Sequence, residues 1–201
     1  MSARLCIFAR TPELGRVKQR LAREIGAEAA LAAHETLLRR AVERAAAGAN
    51  FRSEVWLTNL AASLPDWLES HSLDLHEQKG TDLGQRMLHT FESALAASSA
   101  CILIGSDCPD IDAAYVDSAI EALTRADVVF GPAEDGGCGL VGMKRPIPEI
   151  FAESKWGDAK VLERALERAA GAGVSVALLD EIYDVDELAD WQRFQQDSSG
   201  R

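Results

Sequence analysis

Short apolar runs alternate with longer amphipathic ones along the whole chain, and this alternation limits the fold more than any other feature. An apolar run of four to eight residues has strand length, whereas apolar positions at three- and four-residue spacing mark one helix face. Residues 4–9, 54–58, 73–76, 100–104, 127–131, 140–143 and 174–179 read as strands, that at 73–76 weakly. Residues 27–47, 83–97, 113–123, 160–172 and 186–194 read as helices, with Asp112 placed to cap the third. Strands that alternate with helices predict a mostly parallel sheet covered on both faces. The expectation is an α/β, single-domain three-layer sandwich over residues 1–194, with a loose tail over 195–201. In such sheets ligands bind beyond the carboxyl ends of the strands, so the loops after strands carry the functional search.

The 201 residues suffice for one substantial core, and 47% hydrophobic with 26% charged residues is a globular balance. A net charge of −11 argues against nucleic-acid or anionic-membrane partners, which need a basic field. Cys6, Cys101, Cys108 and Cys138 form no C-x-x-C pair and no zinc spacing, and Cys6 and Cys101 read as buried thiols. The first ten residues lack a secretory signal, and no run approaches the roughly 18 apolar residues of a membrane span. A cytoplasmic protein is expected.

Four loops stand out. Residues 10–23 hold Arg10, Arg16, Lys18, Arg20 and Arg23 against Glu13 alone, a local charge of +4 in an acidic chain. Gly15 permits a tight turn there, and cations beside a helix start suit a phosphate, although a solvated basic helix start reads the same way. After the most apolar strand comes Gly105-Ser106-Asp107-Cys108-Pro109-Asp110, where Asp107 can hold a metal that carries phosphates or else serve a turn. The run from Gly131 to Gly139 contains Glu134, Asp135, Gly136 and Gly137 and reads either as backbone wrapped around a ligand or as a Gly-rich hairpin. Last is Tyr183-Asp184-Val185-Asp186, whose alternate carboxylates point the same way in extended chain and favour a cation between them; Asp186 is also placed to cap the following helix. Trp156-Gly157-Asp158 offers an aromatic wall or a core Trp before a capped helix.

Other motifs fail on context. Gly137–Gly142 spells G-x-G-x-x-G but runs towards Pro146 and Pro148 rather than into a helix. No P-loop and no G-x-S-x-G occurs, and His34, His71, His76 and His89 are too scattered to suggest a metal site or a partner for Cys108.

Taken in order, Phe8-Ala9-Arg10-Thr11-Pro12, Gly15–Leu21, Gly80–Arg86, Ile104–Asp110, Gly131–Gly137, Trp156-Gly157 and Asp184-Val185-Asp186 resemble the DUF2064 family over about residues 4–194. These are glycosyltransferase-A-like proteins, also called selenodomain-associated transferase 1. The resemblance implies a glycosyltransferase-A fold, of nucleotide-diphospho-sugar transferase type, in a group that also contains nucleotidyltransferases such as phospholactate guanylyltransferase. By that pattern Arg16, Lys18 and Arg20 face phosphates, with Arg10, Gly15, Gly136 and Gly137 around them, and Gln85 and Arg86 reach the nucleotide. Asp107 holds the metal by the same pattern, with Asp184 or Asp186 completing its shell; the ion expected is Mg²⁺ or Mn²⁺, and Asp135 is the candidate to orient or deprotonate the acceptor. The expected partners are a nucleotide sugar or NTP and a small-molecule acceptor. Glycosyl transfer is favoured over nucleotidyl transfer, and a non-catalytic nucleotide-sensing or scaffold domain is the rival of a different class. The chain departs from the family where Gln19 replaces Thr and where Cys138-Gly139 replace two tyrosines, which takes two aromatic walls from the expected acceptor pocket.

Overall fold

The computed structural model describes residues 2–71, 73–152, 156 and 159–199. Seven strands, β1 (Ala3–Ala9), β2 (Phe51–Leu57), β3 (Asp74–Glu77), β4 (Ala100–Gly105), β5 (Val128–Pro132), β6 (Cys138–Met143) and β7 (Val176–Leu178), form one sheet in the order β3-β2-β1-β4-β6-β5-β7. Every pairing is parallel except those of β6, which runs against both β4 and β5. Around it lie α1 (Gln19–Ile25), α2 (Ala27–Arg44), α3 (Asp66–Glu69), α4 (Leu83–Leu95), α5 (Ala113–Ala122), α6 (Val161–Gly171) and α7 (Leu188–Ser199).

Side-chain alternation along the central strands builds two cores. Leu5, Ile7, Ile102 and Ile104 pack with α2 and α5 on one face. Cys6, Phe8, Cys101 and Leu103 pack with α4 and α6 on the other. The three-layer sandwich follows, and Cys6 and Cys101 are the buried thiols expected. Burial of each Leu, Ile or Phe contributes about 1.5–3 kcal/mol, so the strongest cohesion lies under β1 and β4, whose ends carry the first two loops of interest.

Local chemistry fixes several helix starts. Asp82 accepts from the Gln85 amide at 2.9 Å to cap α4, and Asp112 accepts from the Tyr115 amide at 3.0 Å to cap α5. Asp186 makes no side-chain cap to α7 among the described residues; Asp190 instead braces the entry to the helix, accepting from the amides of Asp186 (3.1 Å) and Glu187 (2.8 Å). The tail expected to be loose from residue 195 is helical through Ser199. Gly26 at φ 87° separates α1 from α2, and both α3 and a 3₁₀ turn at Pro148–Phe151 are too short to show periodicity in the sequence. No helix among the described residues is long and apolar enough to cross a membrane.

Candidate functional site

β1, β4, β5 and β7 end at one edge of the sheet, and the loops beyond them enclose a cleft of about 1020 Å³. Arg10, Arg16, Lys18, Arg20, Arg86, Asp107, Asp135, Gly137, Asp184 and Asp186 all line it. Residues far apart in the chain thus meet because their strands are neighbours. Gly15, Gln85 and Gly136 do not line it and instead shape the backbone. Gly15 takes φ 75° in the turn closed by Arg16 N to Glu13 O at 3.1 Å. Gln85 Oε1 accepts from the Thr81 amide (3.1 Å) and hydroxyl (2.9 Å). Gly136 holds φ 85°, and a Cβ there would collide with the Ala159 carbonyl.

The loop after β1 is tied down from several sides. Thr11 donates its amide to Thr58 Oγ1 at 3.0 Å and its hydroxyl to the Asn59 carbonyl at 2.8 Å. His34 Nε2 lies 2.9 Å from the Arg10 carbonyl, and burial lowers the His34 pKa, so a neutral ring donates that bond. Two residues apart, Arg16 and Lys18 have opposite fates. Arg16 is 77% exposed, with Glu13 at 3.9 Å. Lys18 is 3% exposed and sits at φ 45°, ψ 49°, the one non-glycine residue with positive φ among those described. Its ammonium lies 2.8 Å from Asp107 Oδ1 and donates to the Val185 carbonyl. Lys18 therefore faces the cleft already committed to protein partners, rather than as the open phosphate cation that the family pattern implied.

The carboxylates come from three loops. Burial pushes the Asp107 carboxyl up, but Lys18, His34 and the Ser106 hydroxyl outweigh it and leave its pKa below the usual value; the side chain is 44% exposed. Asp184 moves the other way. Burial first, then Asp135, raises it to about 6 against the pull of its own backbone and Lys18. Asp186 Oδ2 is taken by Arg20 at 3.0 Å. The oxygens of Asp107, Asp184 and Asp186 do not converge as a three-ligand cluster among the described residues.

The segment after β5 is a hairpin into β6, one of the two sequence readings, and it also lines the cleft. Asp135 Oδ1 accepts from the Gly137 amide at 2.8 Å, and Ala133 and Gly137 close the turn at 3.1 Å. Pairing steps from Gly131–Leu140 to Pro132–Cys138, leaving Gly139 as the extra residue of a bulge. A side chain at 139 would meet Cys108 Sγ at 2.5 Å and Ile182 Cδ1 at 2.7 Å. Cys138 alone of the pair can wall the pocket. Burial, then Asp135, pushes its thiol up to about 12, so it is a neutral wall and not a nucleophile.

Sequence reasoning missed two features. Thr58, Asn59 and Gln78 bring the loops after β2 and β3 into the cleft with no motif to announce them. Glu54, Asp74 and His76 gather ligand atoms within 4.8 Å on β2 and β3, although the histidines looked scattered. Period-two spacing puts Asp74 and His76 on one side of β3, but only register places Glu54 beside them. Arg4 pairs with Glu54, and Arg52 with Asp74 at 2.5 Å, so this cluster already carries its own counter-cations. Of the Trp156 motif, Trp156 lines the cleft and stacks on Phe151 with centroids 5.3 Å apart; Gly157 and Asp158 lie outside the described residues.

A parallel sheet with one reversed strand and a charged cleft at its carboxyl edge is the nucleotide-diphospho-sugar transferase fold, and the solved structures that share it mark the chain as a transferase. A structure from Desulfovibrio desulfuricans G20, provisionally named a nucleotide-diphospho-sugar transferase, has a TM-score of 0.89 and 28% identity over 98% of this chain and 88% of that one. CMP:2-keto-3-deoxy-manno-octonic acid synthetase complexed with CTP shares the fold at TM-score 0.66 and 12% identity, covering 100% and 99% of the two chains. Rv0371c from Mycobacterium tuberculosis H37Rv, in complex with manganese, shares it at TM-score 0.58 and 13% identity over 97% of each. No curated protein matches the chain. Residues 38–158 match the DUF2064 family, described as an uncharacterized protein conserved in bacteria, and the chain belongs to that family.

Proposed function

We propose that this protein is a metal-dependent transferase that binds a nucleotide sugar and passes its glycosyl group to a small-molecule acceptor. The observation that carries the reading is the meeting, in one cleft, of the β1-loop cations with the carboxylates after β4, β5 and β7. Arg10 and Arg16 line the cleft with no carboxylate within 3 Å among the described residues, and they would hold the phosphates. Their charge offsets that which gathers on the departing phosphate, where fixed cations act most strongly. Asp135, stiffened by its bond to Gly137, would orient the acceptor hydroxyl or take its proton.

Asp107 and Asp184 would hold a divalent cation, Asp107 through Oδ2, since Lys18 holds its Oδ1. The Asp184 pKa is raised by burial and neighbouring carboxylates, the mark of negative charge held without a full complement of counter-charge. Asp186 fits less well while Arg20 holds its Oδ2. Mg²⁺ or Mn²⁺ bound there would screen the phosphates and the leaving charge.

Nucleotidyl transfer from an NTP is the second reading, favoured by likeness to a fold relative complexed with CTP. Product analysis separates them: release of a nucleoside diphosphate marks glycosyl transfer, and pyrophosphate marks nucleotidyl transfer. Calorimetry against nucleotides and nucleotide sugars with and without Mn²⁺ tests the shared premise. Asp107→Asn should abolish metal-dependent binding, and retention of full metal dependence would refute the assignment.

A further inference from the structure

The cleft has two unlike ends. By strand order the cation loop after β1 lies centrally, the carboxylate loops lie towards β7, and Thr58, Asn59 and Gln78 lie towards β3. A nucleotide whose phosphates meet the β1 loop and whose transferred group meets Asp135 must put its nucleoside at the β3 end.

Acceptor capacity at that end is largely spent. Thr11 and Thr58 satisfy one another through Thr11 N to Thr58 Oγ1 (3.0 Å) and Thr58 Oγ1 to Thr11 Oγ1 (3.3 Å), and the Asn59 amide adds a bond to Thr11 Oγ1 at 2.9 Å. Asn59 Oδ1 accepts from the Ala61 amide at 3.0 Å. Gln78 differs. Its Nε2 donates to two main-chain carbonyls, Ala9 O at 2.9 Å and Trp56 O at 2.8 Å, and its own amide continues the ladder to Leu57 O at 2.8 Å. Both contacts are acceptors only, so the carboxamide cannot be reversed: its nitrogen must face them and Oε1 must face away. The side chain is held in a residue 9% exposed, and Oε1 is not among the buried atoms left without a partner. Among the described residues no donor reaches it, so Oε1 is the polar atom that Gln78 offers the cleft.

We propose that Gln78 Oε1 is a specificity-determining acceptor that selects the nucleotide by an N–H or O–H of its nucleoside. This rests on the reading that the cleft binds a nucleotide. A prealigned acceptor costs nothing to orient, and a ligand without the matching donor leaves it dry and unpaired, so such a site rejects the donor-less analogue strongly. The donor is either a nucleobase amine or imide, or a ribose hydroxyl.

The test uses the full chain with Mn²⁺ and calorimetry. ADP, CDP, GDP and UDP are titrated first, and the tightest binder is then compared with its analogues: the base amine deleted or the imide methylated, and the 2′-deoxy and 3′-deoxy sugars. One analogue should bind wild type about tenfold or more weakly, and which one identifies base or ribose as the source. In Gln78→Met, parent and analogue should bind within about twofold of each other, because the loss of a merely structural bond would weaken both alike. If every analogue binds wild type within twofold of its parent, the proposal is overturned, even should Gln78→Met fail to fold. It is equally overturned if the variant keeps the tenfold discrimination. If none of the four diphosphates binds, the nucleotide reading falls and this inference with it.

Discussion

The loop after β1 and the hairpin between β5 and β6 both line the cleft, yet they are held in place by different means. The turn of the hairpin is closed from within, by Asp135 to Gly137, Ala133 to Gly137 and Gly136 to Ala133, while its flanks are anchored by Ile182, Leu162 and Arg193. The β1 loop is held from far away, by Thr58 and Asn59, by His34, and by Asp107 and Val185. The turn that presents Asp135 is therefore a local device on anchored flanks. The cation loop is a tertiary one, whose shape depends on four other segments.

Breaking the tertiary tie should have the largest effect. Lys18→Met removes a buried ammonium and leaves Asp107 and the Val185 carbonyl without their donor. Loss of one partner from a fully buried pair costs about 3–5 kcal/mol. Asp107 is 44% exposed and can rehydrate, so about 2–3 kcal/mol is expected in urea denaturation. A change under about 0.5 kcal/mol would show that the tie is not structural.

Breaking the local device should cost less. Gly136→Ala forces a Cβ into positive φ and against Ala159, at about 2 kcal/mol. The strain falls on the turn and on Ala159 rather than on the β1 loop, so nucleotide affinity should remain within about twofold while turnover falls. A parallel loss of nucleotide affinity would show that the two regions move together.

The next effect sharpens the contrast inside the β1 loop itself. Arg16→Ala should leave the denaturation midpoint unmoved, because its side chain is 77% exposed. Nucleotide affinity should drop about tenfold, as one charge-assisted bond is lost. Unchanged affinity in calorimetry would remove Arg16 from the phosphate site.

The smallest effect is expected at Cys138→Tyr. This side chain lines the cleft on the hairpin side, so the ring should alter acceptor choice while nucleotide affinity changes by under about 0.5 kcal/mol. Gly139→Tyr, by contrast, must displace Cys108 and Ile182, and circular dichroism should report lost structure.

Much of this was legible in the chain. Strand period two and helix period 3.6 are local, so every strand was placed from apolar runs, and the rule that ligands meet the carboxyl ends of strands pointed to Arg10, Arg16, Asp107, Asp135 and Asp184. Caps formed by a side chain three residues from its amide, such as Asp82 and Asp112, are equally local. The reversal of β6 was latent in the Asp-Gly-Gly turn.

What the tertiary structure decided is who pairs with whom. Lys18 reads as one of several cations, and nothing near it in sequence says that its ammonium will meet a carbonyl 167 residues away. Gln78 carries no motif; its amide is fixed only because β1 and β2 bring the Ala9 and Trp56 carbonyls to it. Glu54 meets His76 through strand register, which a sequence does not state. The physical reason is that periodicity and capping act over a few residues, whereas a buried charge or amide takes its partner from whatever strand the sheet has laid beside it.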